Sequence, residues 1–479
     1  MTSNAKPKLL TLQDCENLDI KKIRSLYKDY VNPGLENILY SFGAGEMLVD
    51  HSEGVWMYTT DGRKILDVSG GMGVLTLGHN HPRILAARIH YQQQKHMEVH
   101  KTVFSAYQAV LSHNIAQLLP GDLDYPFFCN SGAEAVEGAM KIAYKYHGGN
   151  RKYILHADIS FHGKLLGSGG MTNTLENSFK FLTIPGIESF NYQDLDSVKK
   201  QIAQLRQPNG DSDVYALIIE PFNAITVTNA SDEYLRQLRQ ICDDEGILLI
   251  IDEVYCGWCK TGNYFRFMDS GIIPDILTTS KSMGGGKSSI SAYITRKPIL
   301  MKAYGDVHNA TLHTTTYNGF GEECATAIEA INIMVEDDYP SKSRELEKLV
   351  KAKCKTLMDK YPDQIDEIRG AGALYGIFPK KNDGAFSVLL QKLPVDILKD
   401  GSFLNKIIVA SVVDWLFRKH KIFTFFNNSK DVAIMFAPSL IINKEEVEAF
   451  FNALDDVFDR SLIRITSEFV KNKLLKVLI

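Results

Sequence analysis

The sequence predicts an α/β fold with a mainly parallel sheet, on the strength of three stretches. Tyr215 to Phe222 (YALIIEPF) and Ile247 to Val254 (ILLIIDEV) are continuous apolar runs, the pattern of parallel strands covered on both faces. Between them Ser231 to Glu245 reads as an amphipathic helix, capped by Ser231 and carrying Leu235, Leu238 and Cys242 on one face. Strand, helix and strand make a βαβ unit. Phe127 to Ala143 (FFCNSGAEAVEGAMKIA) runs from an apolar strand end through Asn130-Ser131-Gly132 into a helix, with Val136, Ala139, Met140 and Ala143 at helical spacing.

Length and composition set the frame around these elements. At 479 residues the chain exceeds one compact domain, and 45% hydrophobic content suffices for large cores. We expect a larger domain from Asn80 to Met334 and a smaller α+β domain built from both termini, 1–79 and 335–479. A formal net charge of −4 argues against nucleic acid as the main partner. The polar start MTSNAKPK does not read as a signal peptide, and no apolar run reaches membrane-spanning length. Seven cysteines, an odd number scattered through a long chain, point to reduced thiols and hence to the cytoplasm. The sequence shows neither an internal repeat nor a low-complexity stretch.

Taken in chain order, the elements carry a consistent chemistry. A helix start at Ser131-Gly132 offers free backbone N–H groups to a phosphate, glycine allows close approach, and the Ser131 hydroxyl adds a donor. An ordinary helix cap would satisfy the same residues. Asp252 falls near the carboxyl end of its strand, where open α/β sheets place ligands. Its neighbour Glu253 then faces the other side of the sheet in a structural role. Pro274 to Gly286 (PDILTTSKSMGGG) sets a single lysine, Lys281, between a strand and three glycines. Either residue alone would read as a solvated surface lysine or a capping acid. Together an amine and a strand-terminal carboxylate are what pyridoxal phosphate needs: the aldehyde forms a Schiff base with a lysine, and the ring nitrogen needs a carboxylate to stay protonated.

Seven ordered motifs extend this reading. They are Asp61 to Pro82 (DGRKILDVSGGMGVLTLGHNHP), NSGAEA from Asn130, SFHGKLLG from Ser160, IIEP from Ile218, GILLIIDEV from Gly246, PDILTTSK, and HTTTYNG from His313. With them the chain resembles the class III aminotransferases of pyridoxal phosphate fold type I, from about Val49 to Ala449. The resemblance implies a large, mainly parallel-sheet cofactor domain with the smaller domain formed from both termini. It implies transfer of an amino group from an amine or amino acid to an aldehyde, ketone or oxo acid, with an aminomutase or decarboxylase of the same fold as the alternative. Carried over by motif, Lys281 resembles the Schiff-base lysine and general base, and Asp252 the partner of the ring nitrogen. Phe161 resembles the aromatic that stacks on the ring, with His162 beside it. Glu220 comes with the IIEP motif as a residue of the cofactor site. Gly132 and Ala133 resemble backbone phosphate ligands, and Thr315 with Thr316 resemble hydroxyl donors supplied by the second subunit of a homodimer with shared sites.

The departures from the family pattern concern the substrate. Where relatives using dicarboxylates commonly carry EPVQGEGG and a late arginine, this chain has EPFNAITV and IMFAPSLII, so that the usual glutamate–arginine pair aligns with Ile225 and Met435. Removing one partner of a buried ion pair costs several kcal/mol, whereas replacing both by apolar groups can be nearly neutral. Phe423, Phe425 and Phe426 add aromatic bulk, as pocket wall or as small-domain core, and no arginine lies between Lys419 and Pro438. We therefore expect at least one substrate to be apolar or a terminal amine rather than a dicarboxylate. Tyr255 replaces a common glutamine after DEV and keeps a hydroxyl for the cofactor's ring oxygen. Asn318-Gly319-Phe320-Gly321 replaces the usual GGNP. Cys256-Gly257-Trp258-Cys259 could be a redox pair or half a metal site, but it matches the family's DEVxxGxGRTG turn, and no metal is expected. His79 and His81 in GHNHP read as turn and packing residues. The tail from Arg460 to Ile479, with Leu462, Ile465, Phe469 and Leu474, suits a helix packed on the small domain, or a membrane surface as the alternative.

Overall fold

The computed structural model describes residues 9–41, 43–173, 182–380, 401–427, 429 and 431–471, with backbone alone at 41, 43–44 and 401–404. Leu474, named above in the tail, lies outside them.

After N-terminal helices that include Ile20–Leu26 and Pro33–Ser41, strands β1 (Val49–Glu53), β2 (Trp56–Thr59) and β3 (Lys64–Asp67) form an antiparallel meander. Next come β4 (Tyr125–Cys129), β5 (Tyr153–Ala157), β6 (Ile187–Phe190) and β7 (Val214–Ile219), followed by the hairpin β8 (Phe222–Asn223) and β9 (Thr228–Asn229). Strands β10 (Leu248–Asp252), β11 (Ile276–Thr279) and β12 (Ser291–Thr295) follow, and β13 (Ile365–Ala371), β14 (Leu374–Pro379), β15 (Ile422–Phe423) and β16 (Ile434–Phe436) close the series.

The expected sheet is present. Its order is β4-β12-β11-β10-β7-β5-β6, parallel throughout except at β12, which runs antiparallel to both neighbours. Every residue of β7 and β10 is buried, the consequence of helices on both faces. The helix Asp232–Asp244 joins them: the Ser231 hydroxyl accepts from Tyr234 N at 3.1 Å, and Tyr234, Leu235, Leu238 and Cys242 are buried. Both strands stop short of the apolar runs that announce them. β7 ends at Ile219 because Pro221 has no N–H to give a ladder, and the chain turns there to carry Glu220 off the sheet.

The chain's two ends meet outside this sheet. β15 pairs in parallel with β3 through Ile422↔Leu66 and Phe423↔Asp67, and β13, β14 and β16 form a separate antiparallel sheet. The helix Leu462–Phe469 buries Leu462, Ile465 and Phe469, and its Thr466 hydroxyl lies 2.9 Å from Ser411 on the helix Gly401–His420. The described part of the tail is thus packed on protein. Among the described residues no helix is long and apolar enough to cross a membrane.

Candidate active site

Strands β10 and β11 are in register with Asp252 opposite Thr278, so their carboxyl ends deliver Asp252 and Lys281 to one edge of the sheet. Lys281 opens a tight turn, Lys281–Gly284, at φ 48°, a left-handed conformation that a side-chain-bearing residue adopts only where its surroundings hold it there. Its Nζ stands 4.6 Å from the centre of the Tyr255 ring. Burial depresses the pKa of this amine against the opposing pull of Asp252 and Glu220, which favours the neutral, nucleophilic form. Lys287, the nearest other lysine in sequence, is exposed.

Asp252 is 3% exposed and held at both oxygens: Val254 N donates to Oδ1 at 3.0 Å, and His162 Nδ1 lies 2.7 Å from Oδ2. His162 is also buried. Burial disfavours its charged form, but the Asp252 contact outweighs this and raises its pKa. The structure therefore places His162 on the carboxylate, where it fixes the orientation of Asp252. Phe161, next to it, presents a ring that is 37% exposed while its N–H donates to Glu220 Oε2 at 2.9 Å. Glu220 also accepts from Ala224 N at 3.3 Å, and burial pushes its pKa up to about 7.

The helix Gly132–Tyr146 begins beside this group. The Ser131 hydroxyl accepts from Glu134 N at 3.3 Å, so the ordinary cap forms, and the N–H groups of Gly132 and Ala133 remain for a ligand. A Cβ on Gly132 would stand 2.8 Å from Val254, so only glycine lets the helix start sit this close to the turn after Asp252. Among the described residues the Tyr255 hydroxyl is buried without a partner, as is Thr315 Oγ1, whereas Thr316 is exposed. An amine of lowered pKa, a buried carboxylate, an unsatisfied phenol and open helix N–H groups fit pyridoxal phosphate.

The other motif residues separate from this group. Glu253 accepts from Arg266 N and Phe267 N, both at 2.7 Å, and so caps the turn Arg266–Ser270 on the far side of the strand. Cys256 and Cys259 are buried and unpaired, with burial raising both thiol pKa values, the reverse of what a redox pair requires. His79 Nε2 lies 2.9 Å from Asp67 Oδ2 in the turn after β3.

Ile225 and Met435 are both buried, but Met435 joins an apolar cluster with Tyr255, Phe222 and Phe425, while Ile225 is tied through its carbonyl to Asn427 Nδ2 at 2.7 Å. Phe423 packs with Met47, Met57, Ile65 and Phe417, and both Phe423 and Phe425 face a cavity beneath the N-terminal helices. The phenylalanines are thus core and wall at once.

Sequence reasoning missed Lys260. This second amine is 3% exposed and donates to Ser282 Oγ at 2.9 Å and Gly73 O at 3.1 Å, bracing the residue that follows Lys281. Burial, reinforced by Lys281, brings its pKa down to about 7. The signal was available, since Lys260 occupies the basic position of the DEVxxGxGRTG-like turn. Arg24 was also missed, and nothing in the sequence ties it to the pocket, because it arrives from the N-terminal helices.

A large, mainly parallel sheet with an amine and a carboxylate at its carboxyl edge defines a pyridoxal phosphate enzyme of fold type I. A family model described as aminotransferase class-III matches residues 40–458. The chain belongs to that family, and its reaction is pyridoxal phosphate-dependent transfer of an amino group from an amine donor to a carbonyl acceptor. It is 30% identical to a putrescine aminotransferase of Pectobacterium atrosepticum over 452 residues, 92% of this chain and 89% of that protein. Among solved structures, the ornithine aminotransferase of Toxoplasma gondii superposes with a TM-score of 0.75 at 22% identity, covering 93% of this chain and 96% of the other. An (S)-enantioselective omega-transaminase of Thermomicrobium roseum gives 0.76 at 22% identity, covering 94% and 100%.

Proposed function

We propose that this chain is an amine transaminase in which Lys281 carries the cofactor and moves the proton at the reacting carbon, and Asp252 holds the ring nitrogen. The observation that carries the proposal is the pair itself: a half-buried lysine whose amine has a lowered pKa and a buried carboxylate, brought to one edge of the sheet. Bound pyridoxal phosphate supplies an electron sink that acidifies the hydrogen on the substrate carbon. Lys281, its pKa lowered by burial, accepts that proton and returns it. His162 keeps Asp252 aimed, Phe161 and Tyr255 contribute a stacking face and a phenol, and Glu220 fixes the Phe161 backbone. Ser131, Gly132 and Ala133 receive the phosphate at the helix start, with Thr315 and Thr316 from the second subunit.

A homodimer with shared sites is supported by Met97, Val103, Phe104 and Val307, large apolar side chains left exposed on the single chain. The cytoplasm as compartment is supported by seven free cysteines. The division into residues 80–334 and the joined remainder is supported by the span of the seven-stranded sheet, which lies wholly within the first part. On the substrate side, Met435, Phe425 and Phe423 favour an apolar or terminal-amine chain over a dicarboxylate. A panel of amine donors scored by the cofactor's absorption spectrum tests the reading. Donors should convert the bound cofactor to its aminated form and release a carbonyl product, whereas a mutase or decarboxylase would leave the cofactor spectrum unchanged after turnover.

A further inference from the structure

We propose that the amino donor or carbonyl acceptor is a long-chain aliphatic amine or aldehyde whose hydrocarbon tail lies in the cavity beneath the N-terminal helices. The proposal rests on the transaminase reading above and names the substrate class of that site. The cavity measures about 560 Å³, within the ~300–1,000 Å³ span of pockets that bury a ligand of drug-like size. Its roof is Ile23 of the helix Ile20–Leu26 with Ile38 and Leu39 of the helix Pro33–Ser41. Its floor is Phe417, Phe423 and Phe425.

Three observations connect this space to the reaction and to a neutral chain. The first is that its wall adjoins the residues around the amine. Met72 lines the cavity, and the next residue, Gly73, lies so close to Tyr255 that a Cβ there would stand 3.1 Å from the ring; Phe425 packs in the cluster that contains Tyr255. The same ring lies under Lys281 Nζ at 4.6 Å. One aromatic ring therefore separates the cavity wall from the reacting group.

The second observation is that the roof leaves apolar area uncovered: Ile38 is 58% and Leu39 48% exposed, although both face the cavity. An aliphatic tail covers such area without needing a polar partner.

The third is that the charges lining the cavity already face one another. Arg24 Nε donates to Glu36 Oε1 at 2.6 Å, and its guanidinium lies 3.4 Å from the Tyr40 ring centre. Asp414 accepts from Arg418 at 2.6 Å. A dicarboxylate would have to pull Arg24 from Glu36. A diamine's second ammonium would have to compete with Arg24 for Glu36. A methylene chain disturbs neither pair, and the Arg24–Glu36 contact then serves to clasp the two roof helices together.

The test is the chain-length dependence of the half-reaction of the holoenzyme with butylamine, hexylamine, octylamine and decylamine, each below its micelle concentration. We expect kcat/KM to rise about two- to fourfold per added methylene, the factor that burial of each CH2 supplies. Putrescine should react at least tenfold more slowly than pentylamine, which has nearly the same length, and 1-decanol, which cannot react with the cofactor, should inhibit competitively. Leu39→Asp puts a charge in the roof and should flatten the rise, lowering kcat/KM most for decylamine and least for butylamine. A flat or falling series in an enzyme that turns over butylamine would overturn the proposal and leave the transaminase reading standing; that is the result expected if the N-terminal residues or a second copy of the chain fill the cavity. No conversion of the bound cofactor by any amine would instead overturn the transaminase reading itself. Should Leu39→Asp fail to fold, the wild-type series and the 1-decanol inhibition decide alone.

Discussion

At the scale of single residues, the site rests on groups whose ionisation burial controls. Lys281→Ala removes the amine proposed to hold the cofactor and to move the proton, so turnover should fall by at least ~10³-fold while the circular dichroism spectrum stays that of the folded protein. Wild-type rates in that variant, or mass-spectrometric mapping of a reduced cofactor adduct to Lys287, would show the assignment to be wrong. Asp252→Asn replaces a charge by a neutral amide and also deprives His162 of the partner that raises its pKa. Activity should drop by about a hundredfold or more with cofactor still bound, and retained activity would reduce Asp252 to a structural role. Lys260 makes a pH-dependent prediction. Its pKa is about 7 in the fold against the usual 10.5, so the unfolded chain binds more protons between these values and stability rises with pH across that window. Below pH 7 the fold bears the full cost of the buried charge. Lys260→Met should therefore raise Tm by a few degrees at pH 6, with the gain shrinking toward pH 9 as only the lost hydrogen bonds to Ser282 and Gly73 remain. A Tm difference that does not change with pH would contradict this. Of these residues Lys281 and Asp252 were legible in the sequence because strand pattern and motif both mark them. His162 was legible as a motif member but not as the partner of Asp252, since the contact joins residues 90 positions apart.

At the scale of elements, the βαβ units follow from periodicity, but their ends do not. Apolar runs marked β7 and β10, while the stop at Ile219 depended on Pro221 and on the demand for Glu220 at the site. The glycine-rich turn after β3 illustrates what pattern alone misses. Gly70 adopts φ 54°, and a Cβ there would stand 2.2 Å from the Ala437 carbonyl, where the turn crosses the chain beyond β16. Gly70→Ala should cost about 1–3 kcal/mol and lower Tm by several degrees in a thermal melt. An unchanged melt would mean that the turn does not pack against that strand end. The CxxC segment was likewise ambiguous in sequence, and the buried, unpaired thiols place it among turn residues.

At the scale of the whole molecule, the proposed sharing of sites within a homodimer makes a prediction no single chain can mimic. Lys281→Ala and the double variant Thr315→Ala, Thr316→Ala should each be impaired, yet after unfolding and refolding together they should recover about a quarter of wild-type activity, because half the dimers are mixed and each mixed dimer restores one site of two. Recovery no greater than the sum of the separate variants would assign Thr315 and Thr316 to their own subunit's site or to none. The sequence by itself determined the α/β class, the strand that ends in Asp252, the lysine that follows β11 and the helix start at Ser131, because each is a local pattern of burial period, capping or motif spacing. Only the tertiary structure decided what surrounds them. The pairing of β15 with β3 joins the chain's two ends, Lys260 comes to rest beside Lys281, and helices bearing Arg24 and Leu39 roof a cavity floored by Phe423 and Phe425. Those contacts join residues far apart in the chain, and their energies depend on which apolar surfaces are left to cover once the sheet has formed, a quantity that no local window of sequence contains.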